Sequence, residues 1–261
     1  MVDIIGTTKN KKYKYIKSLQ QKKMRQSEGV FTVEGKKSVF DAIEAKCRIK
    51  MLAVSESFFK ENGFCEVPEA ECIVVCDDIF PGLCDTKTPQ GIIAVIEINA
   101  KKDFNADTDK LYIYCDSVSD PGNLGTIIRT ADAAGFGGVL LSAGCADAYS
   151  PKTVRSSMGS FFNIDIVTNI SYDELFKMKE MGFSLFCGAL LSDSKNYTEV
   201  DFTKPSVIVV GNEANGVCDG ILRECEHIII PIYGKAESLN VGVAASVMMY
   251  EALRQRKAGG R

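Results

Sequence analysis

The sequence predicts an α/β fold with a parallel sheet in its C-terminal part. Six short apolar segments follow residue 110, and helical stretches separate most of them. These segments are apolar almost throughout, which is typical of parallel strands covered by helices on both faces. The predicted strands are LYIYC (111–115), GVLLS (138–142), NIDIVT (163–168), FSLFCGAL (183–190), SVIVVG (206–211) and HIIIPI (227–232).

A polar seam precedes this part of the chain. Residues 99–110, NAKKDFNADTDK, are charged and poor in apolar residues, and they lie between two strand-like segments. Such a stretch indicates a linker, so two domains are predicted, at 1–98 and 111–261. The first is expected to be a small α/β domain with a basic helix, a helix from about 36 to 46, and strands at FTVEG (31–35), MLAVS (51–55), CIVVC (72–76) and GIIAVIEI (91–98).

Positive charge is concentrated at the N-terminus. Residues 1–50 hold 13 Lys and Arg against five Asp and Glu, whereas the remaining 211 residues hold 18 against 29. Lysines alternate with two tyrosines in residues 9–25, a composition suited to phosphate contacts and base stacking. A solvated helix face would have the same composition. The candidate nucleic-acid-binding residues are Lys11, Lys12, Lys14, Lys22, Lys23 and Arg25.

Several protein classes fit the sequence poorly. No window approaches 18 consecutive apolar residues, and the start lacks the regions of a secretory signal, so a cytoplasmic protein without a membrane span is expected. The ten cysteines include no CxxC pair, and Cys72 and Cys76 lie in an apolar strand-like run, which favours reduced thiols over a metal site. The single histidine, His227, makes His/Cys zinc sites and His-dependent catalytic triads poor candidates. No metal is predicted.

A glycine-containing turn, VSDPGNLGTIIRTADAAG (118–135), follows the first strand of the C-terminal part. GNLGTI matches neither the dinucleotide fingerprint GxGxxG nor the P-loop GxxxxGK[ST]. The N-terminus of the predicted helix still offers free N–H groups to an anion. The turn adds a polar set of its own, Asp120, Asn123 and Arg129, and Asp120 precedes a proline turn that it is expected to cap.

Two further turns are of the same kind. VIVVGNEANG (207–216) places Glu213 at a strand end, and residues 228–256 form a strand, a loop ending in Ser-Leu-Asn, and a helix rich in small residues. Ser238 is a candidate N-cap of that helix. All three turns follow the carboxyl ends of predicted parallel strands, where ligands bind in open α/β sheets.

Together the three turns resemble, in order and spacing, the three motifs of the SpoU (TrmH-type) family of RNA ribose 2′-O-methyltransferases. TVRSSMGSFF (153–162) also resembles the family's segment between the first two motifs, and GVFTVEGKKSVFDAIEA (29–45) resembles an L30e-like substrate-binding domain that precedes many SpoU catalytic domains. The motif residues are Asn123, Gly125 and Arg129 in the first, Gly211 and Glu213 in the second, and Pro231, Ser238, Leu239 and Asn240 in the third.

The resemblance implies a SPOUT-type catalytic domain whose C-terminal segment threads through a loop to form a deep trefoil knot, an exception to the unknotted rule. It also implies S-adenosylmethionine as cofactor, bound by the backbone at Gly211, Ile230 and Leu239, where glycine permits close approach. A homodimer is expected, with each site completed by the other subunit.

Arg129 matches the family's proposed catalytic arginine. Because free arginine has a pKa above 12, removal of the 2′-OH proton by Arg129 requires a perturbed site, and positioning of phosphate and ribose is the alternative. The resemblance further implies that Asn123 orients the arginine or the ribose and that Ser238 and Asn240 hold the target nucleotide. Glu213 either pairs with Arg129 or fixes its own loop.

The resemblance favours ribosomal RNA of the large subunit (23S-type) as the substrate, ahead of transfer RNA. Two other classes are considered. A non-catalytic RNA-binding ribosome-assembly factor would not need Asn123, Arg129, Ser238 and Asn240 together. A nucleotide-dependent oxidoreductase would need a dinucleotide fingerprint, which the sequence lacks.

Overall fold

The computed structural model of the chain describes residues 4–64, 67, 69–98 and 104–259. Residues 99–103 of the predicted linker lie outside these ranges, as does Cys65. The chain divides into two compact units. The first comprises Met1–Ala100 and Tyr149–Phe162, and the second comprises Lys101–Ala148 and Asn163–Arg261.

The first unit is built on a mixed sheet with strand order β1-β4-β3-β5-β2. Strand β4 is parallel to β1 and β3, whereas β5 is antiparallel to β2 and β3. The predicted strands and the helix near 36–46 are present, while β1 and α4 were not predicted. The elements up to residue 98 are β1 (Ile4–Ile5), α1 (Lys11–Ser18), α2 (Lys22–Glu28), β2 (Val30–Glu34), α3 (Lys36–Glu44), β3 (Ile49–Ser55), α4 (Glu56–Asn62), β4 (Glu71–Val75), a 3₁₀ turn (Phe80–Leu83) and β5 (Ile92–Glu97).

The predicted basic helix is two helices, α1 and α2, and Arg25 fixes the break between them. Its guanidinium is buried and donates from Nη1 to the carbonyls of Leu19 and Gln20, at 2.7 and 2.8 Å. These carbonyls lie at the end of α1, where backbone acceptors lack helical partners. Arg25 therefore serves the fold, unlike the exposed lysines predicted to bind RNA with it.

We expect Arg25→Ala to lower the free energy of unfolding by about 2–4 kcal/mol, because the buried Leu19 carbonyl and the part-buried Gln20 carbonyl would lose a charged donor. Urea denaturation followed by circular dichroism measures this loss. Lys23→Ala, which removes an exposed charge from the same helix, is the control and should unfold at an unchanged urea concentration. Equal stability of the two variants would contradict a structural role for Arg25.

The segment Tyr149–Phe162 lies within the predicted catalytic domain but packs in the first unit. It contains α6 (Pro151–Ser156) and a 3₁₀ turn (Ser160–Phe162). Arg155 Nη1 pairs with Glu34 Oε1 at 3.2 Å and with Asp85 Oδ2 at 2.8 Å. The Phe31 ring contacts Tyr149 and Phe161, with centroid distances of 5.3 and 5.4 Å. These ionic and aromatic contacts join the segment to other residues of the first unit, an assignment that linear domain boundaries did not anticipate.

The second unit is built on a sheet in which every strand pairing is parallel. Its strand order is β10-β12-β9-β11-β6-β7-β8. The predicted parallel α/β architecture is confirmed, and only the short β10 was not predicted. The elements are β6 (Leu111–Cys115), α5 (Pro121–Ala133), β7 (Gly138–Leu141), β8 (Asp165–Thr168), α7 (Tyr172–Glu180), β9 (Ser184–Gly188), β10 (Lys195–Asn196), β11 (Ser206–Val210), α8 (Asp219–Leu222), β12 (Glu226–Ile229) and α9 (Val241–Ala258).

Both faces of this sheet are buried, which explains the continuous apolar strands. Val207 and Val209 of β11 pack in one cluster with Leu175 and Met178 of α7. Ile208, between them, is also fully buried. The predicted glycine-containing turns follow β6, β11 and β12, so they emerge at the same edge of the sheet. None of the helices in the described ranges is both long and apolar enough to cross a lipid bilayer.

Candidate active site

Asn123 joins the three predicted motifs through its side chain. Asp120 caps α5 by accepting from the backbone N–H groups of Gly122 and Asn123, at 2.7 and 2.9 Å, which confirms its predicted role. Asn123 Nδ2 then donates to Glu213 Oε1 at 2.9 Å, and Asn123 Oδ1 accepts from Asn240 Nδ2 at 2.9 Å. Residues 90 and 117 positions apart in sequence thus form one hydrogen-bonded chain.

Glu213 anchors the second motif to the first. Its carboxylate accepts from the backbone N–H groups of Ser119 and Asp120, both at 3.1 Å, and from Ser119 Oγ at 2.8 Å. Partial burial alone would raise the pKa of Glu213, but the hydrogen bonds from Asn123 and these backbone groups outweigh it and lower the pKa to about 2. The suggested Glu213–Arg129 pair is absent from the described residues, because the carboxylate already holds the loop of the first motif.

The lowered pKa of Glu213 predicts that the effect of Glu213→Gln on stability depends on pH. A carboxylate whose pKa is lower in the folded chain stabilises the fold above its ordinary pKa of 4.5. We expect the free energy of unfolding of wild type to exceed that of the variant by about 1 kcal/mol at pH 7. The difference is small because partial exposure to solvent screens the interaction. The difference should shrink as pH falls from 4.5 towards 2, as measured by denaturant unfolding across this range. A difference independent of pH would contradict the role of the charge.

Gly211 lets the second loop fold back on itself. Asn212 and Gly216 exchange two backbone hydrogen bonds, both 2.9 Å long. A Cβ atom at position 211 would lie 2.1 Å from the Gly216 carbonyl carbon and 2.2 Å from the Val217 nitrogen. No side chain fits there, so the close approach of the two backbone segments requires glycine.

Asn240 is the N-cap of α9. Its Oδ1 accepts from the N–H groups of Gly242 and Val243, at 3.0 and 3.3 Å, while its Nδ2 reaches Asn123. The interpretation of Ser238 as the helix cap is therefore wrong, because Asn240, two residues later, fills that position. Ser238 instead lies exposed in the wall of a cleft.

Small residues allow α9 to pack closely on α5. A Cβ atom at Gly242 would lie 3.4 Å from Thr126, and the hydroxyls of Thr130 and Ser246 are 3.0 Å apart. Gly125, also assigned to the first motif, is buried on α5. The packing holds the helix that carries Asn123 beside the helix capped by Asn240.

A cleft of about 630 Å³ lies beside these contacts. Its volume suits a nucleoside-sized ligand. The predicted cofactor-binding residues Gly211, Ile230 and Leu239 all line it, together with Glu213, Ser238 and Asn240. The main-chain N–H groups of Gly211, Ile230 and Leu239 have no hydrogen-bond partner within the described ranges, so they are available to ring nitrogens of an adenine. The chemistry of the cleft therefore fits the adenosyl part of S-adenosylmethionine. Pro231 continues the same loop immediately after Ile230.

Arg129 stands apart from this set. It is exposed on α5, does not line the cleft, and makes no hydrogen bond or ion pair in the part of the chain that is described. Six residues of helix turn it about 120° around the axis from Asn123. Asn123 therefore does not orient Arg129 within one chain, as the sequence had suggested as one option. The guanidinium is left available to another molecule.

Asp116 is a positioning residue that sequence reasoning missed. It is buried directly after β6, where Oδ2 accepts from the Cys218 backbone N–H at 2.9 Å and Oδ1 accepts from the Tyr172 hydroxyl at 3.1 Å. It thereby holds the end of the second motif loop against the start of the first. An acidic residue at the end of the apolar run LYIYC was the available signal.

The histidine and cysteine side chains that the structure describes do not join the hydrogen-bonded chain of Glu213, Asn123 and Asn240. His227 lies with Nδ1 3.2 Å from Asp193 and Nε2 2.9 Å from the Leu222 carbonyl. The nine cysteines that the structure describes are free thiols. Among the same described residues, no cluster of three or more His, Cys, Asp or Glu has the arrangement of a metal site.

Comparison with known proteins identifies the families that the chain matches. Residues 110–250 match the SpoU rRNA Methylase family, and residues 10–94 match the MRM3-like substrate binding domain. The 23S rRNA (guanosine(2553)-2′-O)-methyltransferase RlmP of Bacillus subtilis is 36% identical, covering 94% of this chain and 97% of its own. A tRNA (guanosine(18)-2′-O)-methyltransferase of Aquifex aeolicus is 37% identical but covers only 58% of this chain and 72% of its own.

Among solved structures, an S-adenosylmethionine-bound rRNA methyltransferase from Sinorhizobium meliloti superposes with a TM-score of 0.86 and 32% identity, covering 97% of this chain and 98% of that one. The SPOUT-type α/β fold is thus confirmed, with S-adenosylmethionine as the cofactor of the family. The family match, the similarity over nearly the whole chain and the convergence of the three motifs lead to one conclusion: this chain is an enzyme of the SpoU rRNA methylase family.

Proposed function

We propose that this enzyme transfers a methyl group from S-adenosylmethionine to a ribose 2′-OH of 23S-type ribosomal RNA. The observation that carries the proposal is the hydrogen-bonded chain from Glu213 through Asn123 to Asn240 beside the cleft. It brings the three motifs to one place, as a site for one cofactor and one nucleotide requires. Ribosomal RNA is favoured over transfer RNA because the 23S rRNA relative matches nearly the whole chain, whereas the transfer-RNA relative matches 58% of it.

The exposed lysines of α1 and α2 support binding of RNA by the first unit. Lys11, Lys14, Lys22 and Lys23 are exposed, whereas Lys12 is paired with Glu71. Phosphate contacts make affinity fall with salt concentration in proportion to their number. The substrate of this family is a polyanion, so these lysines contribute affinity without reading sequence.

We expect the double substitution Lys11→Gln and Lys14→Gln to weaken RNA binding and to reduce the slope of log K against log salt by about 1.5. Filter binding with 23S rRNA at several salt concentrations measures both effects. Lys179→Gln removes an exposed lysine of the second unit, paired there with Glu224, and should leave the slope unchanged. An unaltered slope in the double variant would mean that Lys11 and Lys14 do not contact RNA phosphates.

The protein's part in the reaction is mainly positioning, since the cofactor supplies an electrophilic methyl group on its sulfonium. The main-chain groups of Gly211, Ile230 and Leu239 bind the cofactor in the cleft. Ser238 and Asn240 would hold the target nucleotide at the cleft wall and so position its 2′-oxygen for methyl transfer. Such alignment can supply a large part of the rate acceleration. Arg129 either accepts the 2′-OH proton or positions the phosphate and the ribose.

The same proposal includes a homodimer, a trefoil knot in the second unit and a cytoplasmic location. The dimer is supported by Arg129, which is exposed and lies outside the cleft of its own chain. In a dimer the Arg129 guanidinium serves the cleft of the partner subunit.

The decisive experiment is mass spectrometric mapping of ribose methylation in RNA from cells with and without the gene. We expect one 2′-O-methylated nucleotide of 23S rRNA to lose its methyl group in the deletion strain. The purified enzyme should restore that mark on 23S rRNA isolated from the deletion strain. Loss of a mark from transfer RNA instead would establish the second candidate, and unchanged rRNA and transfer RNA would overturn the proposal.

A further inference from the structure

The tip of the loop between β12 and α9 does not line the cleft. Residues on both sides of the tip line the cleft, Ile230 and Ile232 before it and residues 237–240 after it. Residues 233–236, Tyr-Gly-Lys-Ala, do not line it. A Cβ atom added at Gly234 would meet nothing within 4 Å, so the tip stands clear of the surrounding chain. It therefore forms part of the rim of the cleft.

Tyr233 is exposed to an unusual degree at this tip. Its relative exposure is 96%, whereas the next most exposed large apolar residue in the described ranges, Leu190, reaches 61%. The ring and hydroxyl make no hydrogen bond or ring contact with a described residue. Single exposed apolar residues are common on protein surfaces, so exposure by itself decides nothing. What distinguishes Tyr233 is its place one residue beyond the cleft wall.

Lys235 adds charge to the same tip. It is exposed and forms no ion pair with the described residues. An aromatic ring for a base and an ammonium group for a phosphate are the two components with which proteins bind single-stranded nucleic acid. Ribose methylation requires a nucleotide whose 2′-OH is reachable, as in loops and splayed strands, and unstacked bases there are commonly held against aromatic side chains. A nucleotide next to the target must pass over the rim.

We propose that Tyr233 stacks on the nucleobase adjacent to the methylated nucleotide, while Lys235 contacts the phosphate of the same nucleotide. This inference rests on the proposed function, since it requires an RNA ribose at the cleft. Tyr233 would thus be a substrate-binding residue that sets the register of the RNA at the site. Its ring acts by area and planarity, so its hydroxyl is dispensable.

The absence of tryptophan from the chain permits a direct test. Tyr233→Trp introduces the only tryptophan of the chain at the tip, and base stacking should quench its selectively excited emission when 23S rRNA from the deletion strain is added with S-adenosylhomocysteine. Met181→Trp places the only tryptophan at another exposed position of the second unit and should show no quenching. If Tyr233→Trp binds the RNA in a filter-binding assay but its tryptophan emission is not quenched, the proposal is overturned.

Steady-state kinetics provides a second, independent readout. We expect Tyr233→Ala to raise KM for RNA by about 5- to 150-fold, the range that one base–aromatic stack covers. Its kcat should change little, its affinity for S-adenosylmethionine should be unchanged, and Tyr233→Phe should behave as wild type. An unchanged KM in Tyr233→Ala, or a loss in Tyr233→Phe equal to that in Tyr233→Ala, would exclude stacking.

The alternative is that a second copy of the chain covers the Tyr233 ring. Light scattering coupled to size-exclusion chromatography distinguishes a subunit interface from an RNA contact. A native mass that changes in Tyr233→Ala would assign the ring to a subunit interface and overturn the proposal. Failure of the proposed function gives a different result from failure of the present inference. In that case wild type itself would not methylate 23S rRNA, whereas failure of the present inference leaves wild type active and Tyr233→Ala indistinguishable from it.

Discussion

Arg129→Ala is expected to lower kcat by about 10²- to 10⁴-fold, the range associated with a group that assists proton transfer in the transition state. Affinity for S-adenosylmethionine should stay unchanged, because the groups proposed to bind the cofactor are the main-chain groups of Gly211, Ile230 and Leu239. Single-turnover methylation of 23S rRNA from the deletion strain, with calorimetry for the cofactor, measures both. Normal cofactor and RNA binding with an undiminished rate would contradict any catalytic role.

The pH dependence of the variant separates the two roles considered for Arg129. If Arg129 accepts the 2′-OH proton, the residual rate of Arg129→Ala should rise with hydroxide concentration while the wild-type rate levels off. If it only positions the phosphate and ribose, both profiles should keep the same shape. Arg129→Lys retains the charge without the planar fork, so partial activity there indicates a role for charge alone.

A mixed-dimer experiment tests whether Arg129 serves the partner's cleft. Arg129→Ala and Gly211→Ala subunits, each inactive alone, are unfolded and refolded together in equal amounts. If the arginine acts across the interface, half of the dimers contain one intact site, and about a quarter of wild-type activity should return. If it acts within its own chain, the mixture should stay inactive.

Gly211→Ala is the second change with a large expected effect. The added Cβ atom would lie 2.1 Å from backbone that cannot move without opening the loop of the second motif. We expect a loss of stability of about 1–3 kcal/mol from this overpacking and, because Gly211 lines the cleft, no measurable binding of S-adenosylmethionine. Denaturant unfolding and calorimetry provide the two measurements.

Gly220→Ala is the matched control, since Gly220 lies on α8 in the same unit and its Cβ atom would approach nothing nearer than Cys218 Sγ at 4.0 Å. It should bind the cofactor as wild type does. Tight cofactor binding by Gly211→Ala would mean that the loop adapts and that the cleft does not depend on this backbone approach.

The sequence by itself determined the elements whose cause is local. Strands that are apolar on both faces predicted the parallel sheet of the second unit, and the alternation with helices predicted the edge where its loops meet. Asp120 was recognised as a cap because its proline turn stands in sequence beside the helix it caps. The motif residues around Asn123, Glu213 and Asn240 were identified because short patterns at strand ends resemble the motifs of the SpoU family.

Only the tertiary structure decided which atoms those residues contact. Asn240 rather than Ser238 caps α9, and Glu213 binds the loop at Ser119 rather than Arg129. Arg25, which the sequence grouped with the exposed lysines, is a buried residue of α2 whose side chain binds the carbonyls after α1. A hydrogen bond depends on positions within a few tenths of an ångström, and for partners 90 or more residues apart those positions follow from the packing of the whole unit.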